Sequence, residues 1–214
     1  ALVEKYYKAQ GLFRTDSSQK PLFTDEIHLD LSTIEPSLAG PKRPQDRIPL
    51  RKMKQTVISL EKSPIEKGGY GLDDDKIEKS VEIEYEDGKK EVLKTGAVVI
   101  SSITSCTNTS NPAVIIGAGI LAKKAVEHGL TKPRYVKSSL APGSRIVTAY
   151  LEKAGLLTYL EKLGYNVVGY GCATCIGNSG PLIEEVTEAI QENDLMVASV
   201  LDRKSTRLNS SHLV

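Results

Sequence analysis

From residue 97 onward the chain alternates short apolar runs with amphipathic stretches, and that alternation restricts its fold more than any other feature. Ala97–Ile103 is a continuous run of apolar and small residues, as in a strand buried on both faces. Asn111-Pro112 follows, Asn suited to cap a helix and Pro to its first turn. The spacing predicts a helix over 112–128 that ends at Gly129. A strand near 134–140, a turn at Ala141-Pro142-Gly143 and helices over 144–154 and 156–163 come next. In the first of these helices Ile146, Val147, Tyr150 and Leu151 share a face. Asn166–Tyr170 reads as a short strand. Pro181 opens a helix with Leu182, Ile183, Val186 and Ile190 on one side, and Leu195–Leu201 is the last strand. Strands alternating with helices imply an α/β fold with a mainly parallel sheet, here in three α/β/α layers.

The segment before residue 97 is more varied. Glu26–Leu31 alternates apolar and polar residues, which predicts a short strand. The stretch 36–50 is rich in proline and reads as an extended connector, with Lys42, Arg43 and Arg47 as solvated charges. Asp87-Gly88 between alternating runs at 81–96 predicts a hairpin. We therefore divide the chain into 1–40, the end of a preceding domain with its connector, and 41–201, the α/β/α domain. The opening LVEKYYKAQGLF reads as a helix from within a longer protein. Residues 202–214, DRKSTRLNSSHLV, carry no helical or strand period and resemble translated sequencing adapter, so a disordered, non-native tail is expected there.

Bulk properties exclude little beyond extremes. A net charge of +1 favours neither nucleic acid nor an anionic membrane surface, and no apolar run approaches the ~20 residues of a membrane helix. Three cysteines, an odd number with two in a C-x-x-C, do not suit a secreted disulfide framework and point to a metal or redox role in a reducing compartment. Cys106 follows the first buried strand; Cys172 and Cys175 follow a later one. Loops leaving the carboxyl ends of parallel strands line one edge, so the three sulfurs are expected to meet there. Each cysteine loop also leads to a proline-initiated helix, whose amino end favours thiolate. Residues 96–126 and 162–183 contain no Asp, Glu or His, and no fourth zinc ligand is evident locally. A lone C-x-x-C still permits a redox pair, half a zinc site or two buried thiols. Gly117-Ala118-Gly119 lies inside a predicted helix, which excludes a nucleotide-binding loop.

SITSCTNTSNP (102–112) and GYGCATCIGNSGPL (169–182), with KSSLAPGSRIV (137–147) between them and GPKRPQDR (40–47) before them, closely resemble aconitase. The match is to the long bacterial and cytosolic type that includes the iron-regulatory proteins, and runs collinearly over about 1–201. Mitochondrial-type aconitases and isopropylmalate isomerases differ around the C-x-x-C, and 2-methylcitrate dehydratases usually lack the sequence at 176–181. The resemblance implies that Cys106, Cys172 and Cys175 bind three irons of a [4Fe–4S] cluster; Asn108 and Asn178 are candidates for hydrogen-bond donors to cluster sulfur or bound ligand, turn and cap stabilisation being the alternative. It implies a hydro-lyase of the tricarboxylic acid cycle, converting citrate to isocitrate through cis-aconitate, cytoplasmic and monomeric at full length. The family's substrate-binding arginines and its acid and base residues fall outside this stretch; Arg145 is not one of them. The chain alone is thus expected to be inactive. Two alternatives are a 2-methylcitrate dehydratase-like hydro-lyase and an iron-regulatory protein that binds RNA without its cluster.

Overall fold

A computed structural model describes residues 1–40, 46–106 and 111–202. The chain divides into two compact units, Ala1–Glu35 and Pro36–Val214.

The first unit holds helix α1 (Leu2–Ala9), with no buried residue, and a single 3-10 turn at Leu31–Thr33 capped by the Asp30 carboxylate. The strand expected at Glu26–Leu31 does not form. Alternation creates two faces, but a strand also needs a neighbour for its backbone groups, and this segment has none within its unit. Leu22 and Ile27 are almost fully exposed.

In the second unit the expected connector is instead paired. β1 (Ser37–Ala39) and β2 (Arg47–Pro49) run antiparallel, with Leu38 opposite Ile48. Pro36 and Pro49 stand at the ends of the pair, where a missing N–H costs no ladder bond, and Leu50 N–H donates to the Pro36 carbonyl at 2.9 Å. Arg47 is exposed on β2; Lys42 and Arg43 lie outside the described residues. Helix α2 (Met53–Lys62) and the short α3 (Asp74–Ile77) follow. The Asp87-Gly88 hairpin forms as expected from β3 (Ser80–Glu84) and β4 (Lys90–Lys94), with Gly88 at φ 74°.

The central sheet is parallel, in the order β6 (Lys137–Leu140), β5 (Val98–Ile103), β7 (Ala198–Leu201). This is the mixed α/β fold that the alternation predicted. Helices α4 (Pro112–Glu127), α5 (Arg145–Lys153) and α6 (Leu157–Lys162) gather round one core of Ile115, Leu140, Val147, Leu151, Leu156 and Leu160. Helix α7 (Glu184–Asn193) packs on β3 round a second core that includes Ile83, Leu93, Val99, Val186 and Val197. Each fully buried aliphatic side chain contributes about 1.5–3 kcal/mol relative to exposure.

Helix α4 begins and ends as its sequence dictates. The Asn111 side chain accepts from the Ala113 N–H at 3.0 Å, and Pro112 fills the first turn. At the other end Gly129 N–H donates to the Val126 carbonyl and Leu130 N–H to the Ala125 carbonyl, both at 2.9 Å. Gly129 takes φ 73° to make this possible.

Several details differ from expectation: the strands expected over 134–140 and 195–201 begin only at Lys137 and Ala198. Ile146 is 65% exposed while Thr148 is buried in its stead. The Thr148 hydroxyl donates to the Arg145 carbonyl and bonds Tyr170 OH, so its burial leaves no polar group stranded. Asn166–Tyr170 provides one bridge, Val167 to Leu140, rather than a strand. β6 ends at Leu140 and turns away through Ala141-Pro142, so the ladder has nothing to extend along. The helix expected from Pro181 begins at Glu184, leaving Ile183 46% exposed. Lys137 Nζ donates to the Pro181 carbonyl at 2.6 Å and ties the chain there to β6.

Candidate metal centre

The cysteines sit where parallel topology places ligand-binding loops. Cys106 comes three residues after Ile103, the last residue of β5. Cys172 and Cys175 follow Val167, which bridges to the last residue of β6, and Gly171 N–H donates to the Pro142 carbonyl at 2.8 Å. Both loops therefore leave the same carboxyl edge of the sheet. None of the three cysteines is in a disulfide: Cys106 is half-buried, Cys172 exposed and Cys175 buried.

Cys175 lies in a single 3-10 turn, Thr174–Ile176, ended by Gly177 at φ 89°. The Ile176 and Gly177 amides are already engaged by the Ala173 and Thr174 carbonyls, each at 3.0 Å. The proline-initiated helix expected after Cys106 forms as α4 from Pro112, whereas the one expected directly after the C-x-x-C does not start at Pro181. α7 starts only at Glu184, and its first turn carries Glu184 and Glu185.

Below these loops the sheet edge is lined with hydroxyls. Ser102, Thr104, Ser105, Ser139 and Thr174 are all buried. Ser102 and Ser139 hydroxyls meet at 2.9 Å, and Ser139 and Thr174 hydroxyls at 3.5 Å. Such groups offer neutral donors near a sulfur without adding charge. One carboxylate that local sequence inspection missed also reaches this edge. Asp202 accepts from the Thr104 N–H through its side chain, and its own N–H donates to the Ser102 carbonyl at 3.2 Å. Residue 202 is therefore paired to β5 rather than disordered; residues 203–214 lie outside the described region. Only the long-range parallel pairing of β5 with β7 could have signalled this.

The donor chemistry fits a thiophilic metal or cluster: three reduced sulfurs on one edge, with hydroxyls rather than histidines around them. Among the described residues, however, no three Cys, His, Asp or Glu side chains converge as a metal-sized group. Asn178 is exposed, with its N–H on the Ala173 carbonyl at 3.2 Å; Asn108 lies outside the described residues. Arg145 is exposed, its guanidinium 5.9 Å from the Tyr170 ring centre. A cavity of about 200 Å³ lies elsewhere, between β1, α2 and β7, walled by Leu38, Met53, Val57, Tyr70, Met196 and Val200. It is apolar and contains no cysteine.

A parallel α/β sheet with three reduced cysteines in the loops at its carboxyl edge defines a thiol-bearing α/β domain. The aconitase family (aconitate hydratase) matches residues 1–206, five residues beyond Leu201. Aconitate hydratase A of Deinococcus radiodurans is 60% identical over 200 residues, 94% of this chain and 22% of the relative. The proteins of the same name from Bacillus subtilis and Thermus thermophilus are each 54% identical, with the same shares covered. The chain belongs to the aconitase family. It spans 22% of the length of these curated relatives. Among the described residues no helix is long and apolar enough to cross a membrane.

Proposed function

We propose that this chain is the cluster-holding part of an aconitate hydratase acting on citrate, cis-aconitate and isocitrate. The observation that carries the reading is the set of three cysteines outside any disulfide, in loops that leave one sheet edge, in a chain of this family. Cys106, Cys172 and Cys175 would hold three irons of a [4Fe–4S] cluster. When bound, such a cluster with one iron lacking a protein ligand supplies a Lewis acid toward a substrate hydroxyl and carboxylate.

The chain's own residues then have limited tasks. The three thiols, as thiolates, carry the centre. The buried hydroxyls of Ser102, Ser139 and Thr174 line the floor of the site as a hydrogen-bonded series that adds no charge of its own. Asn178, and Asn108 on the other cysteine loop, would donate to sulfur or to a bound carboxylate. A tricarboxylate also needs cationic partners and a base to take the proton from carbon, which the remainder of the relatives' length would provide. Orientation supplies much of the rate in such reactions, so the 214-residue chain alone is expected to show no turnover. A cytoplasmic place in the tricarboxylic acid cycle and a monomeric full-length protein belong to the same proposal. No observation favours 2-methylcitrate as substrate or RNA as partner.

Anaerobic reconstitution followed by iron and sulfide analysis tests the reading. Cys→Ser at 106, 172 or 175 should each abolish stable cluster incorporation, because two thiolates hold a cluster poorly. Full iron and sulfide content in Cys106→Ser would overturn the assignment of Cys106. Zinc without sulfide in the unaltered protein would overturn the cluster itself.

A further inference from the structure

β5 and β6 each carry two consecutive serines, and their register aligns them, Ser101 beside Ser138 and Ser102 beside Ser139. Serine is a poor residue for a central parallel sheet, where branched apolar side chains fit the pleat and a buried hydroxyl needs a partner. On one face Ser101 meets Tyr165 OH at 2.6 Å. On the other, the Ser102 and Ser139 hydroxyls are 2.9 Å apart and Ser139 continues to Thr174 at 3.5 Å. Ser102 is 3% exposed, Ser139 and Thr174 7% each. Thr174 directly precedes Cys175 in the same one-turn helix.

The rest of the C-x-x-C loop is tied to β6 and its following turn near its ends. Gly171 N–H bonds the Pro142 carbonyl, and Lys137 Nζ bonds the Pro181 carbonyl. The hydroxyl series acts at the middle, beside the one cysteine of the three that is buried.

We propose that Ser102, Ser139 and Thr174 are positioning residues that clamp Cys175 to the carboxyl ends of β5 and β6, making it the fixed thiol of the site. The inference rests on reading Cys175 as a ligand, but the clamp itself is a property of the metal-free chain. Hydroxyls do this where apolar side chains would not, because a short hydroxyl pair such as Ser102–Ser139 fixes direction as well as distance and Ser139 passes that restraint to Thr174 through the longer contact. Inside a low-dielectric core, a hydroxyl deprived of its partner makes the displaced loop costly. Cys172 follows Gly171, whose N–H bonds the Pro142 carbonyl, but its own side chain is exposed, so the hydroxyl series acts on Cys175 alone.

The test is alkylation of the full 214-residue chain, reduced and metal-free, with iodoacetamide, reading each cysteine separately by mass spectrometry. Thr174→Val removes the hydroxyl and keeps the shape; Thr174→Ser keeps the hydroxyl and loses a methyl. Thr174→Val and Ser139→Ala should each speed Cys175 alkylation roughly tenfold, as local opening becomes easier. Cys106 and Cys172 rates should stay unchanged. Thr174→Ser should restore the slow rate, and Ser101→Ala, on the opposite face, should leave it slow. An unchanged Cys175 rate in Thr174→Val would overturn the proposal. So would a parallel rise at all three cysteines, which denotes general loosening, or failure of Thr174→Ser to rescue. Iron retained in Cys175→Ser would sink the ligand reading alone and leave the alkylation result standing.

Discussion

Gly117 and Gly119 occupy the same helix two residues apart, and alanine should act on them in opposite directions. Gly117 is exposed, and a Cβ built there meets nothing within 4 Å. Gly119 is buried where α4 packs on α6, and its Cβ would lie 2.9 Å from Leu156 Cβ and 3.1 Å from Leu156 Cδ1. A terminal methyl could rotate aside, but Leu156 Cβ is fixed to the backbone, so the two helices themselves must part. Overpacking of this kind costs about 1–3 kcal/mol. Against it stands the helix preference for Ala over Gly, about 1 kcal/mol. Gly117→Ala should therefore stabilise by ~0.5–1 kcal/mol, and Gly119→Ala should destabilise by up to ~2 kcal/mol. Their difference removes the propensity, which is common to both, and isolates the close approach at about 1–3 kcal/mol. In a domain of this size that corresponds to roughly 2–12 °C between the two melting midpoints. Thermal and urea melts of the two variants, followed by circular dichroism, give the measurement. Equal shifts in both variants would refute the claim that glycine at 119 is there for packing.

Other substitutions test separate parts of the fold. Leu140 is fully buried at the end of β6, so Leu140→Ala should lower unfolding free energy by about 2–5 kcal/mol in urea titration. Asn111→Ala removes the acceptor of the Ala113 N–H and should cost about 1 kcal/mol. Burial pushes the Glu61 carboxyl above the usual range. A raised carboxyl holds its proton more tightly folded than unfolded, so its favourable contribution is present at acid pH and is lost as pH rises through the raised value. Glu61→Gln should thus stabilise the chain near pH 7 but not near pH 4, and equal effects at both would contradict this sign.

Local chemistry made much of the fold legible. The Asp87-Gly88 turn, the Asn111-Pro112 start of α4 and its Gly129 end all follow from backbone preferences that act within a few residues. The parallel character of the sheet followed from alternation of strand and helix, since parallel neighbours require a crossover. The segments that were misread share a different physics. Glu26–Leu31 has the pattern of a strand but no partner in its unit, whereas 36–50 has the composition of a linker but finds a partner in itself.

For the site, residue types and their strand-following positions pointed to Cys106, Cys172 and Cys175; the loops that carry them leave one sheet edge, and their role as ligands is the proposal above. What the sequence alone determined is therefore the chemistry available: which thiols, which caps, which turns, and the family to which they belong. Tertiary structure alone decided how that chemistry is held. α7 starts at Glu184, with Lys137 bonding the Pro181 carbonyl ahead of it, and Asp202 was brought to Thr104 by the pairing of β5 with β7. Ser102, Ser139 and Thr174, far apart in the chain, became one hydroxyl series through strand register. The reason is range: torsional preferences act between neighbours along the chain, while hydrogen-bond partners in a core are chosen by which surfaces meet after collapse.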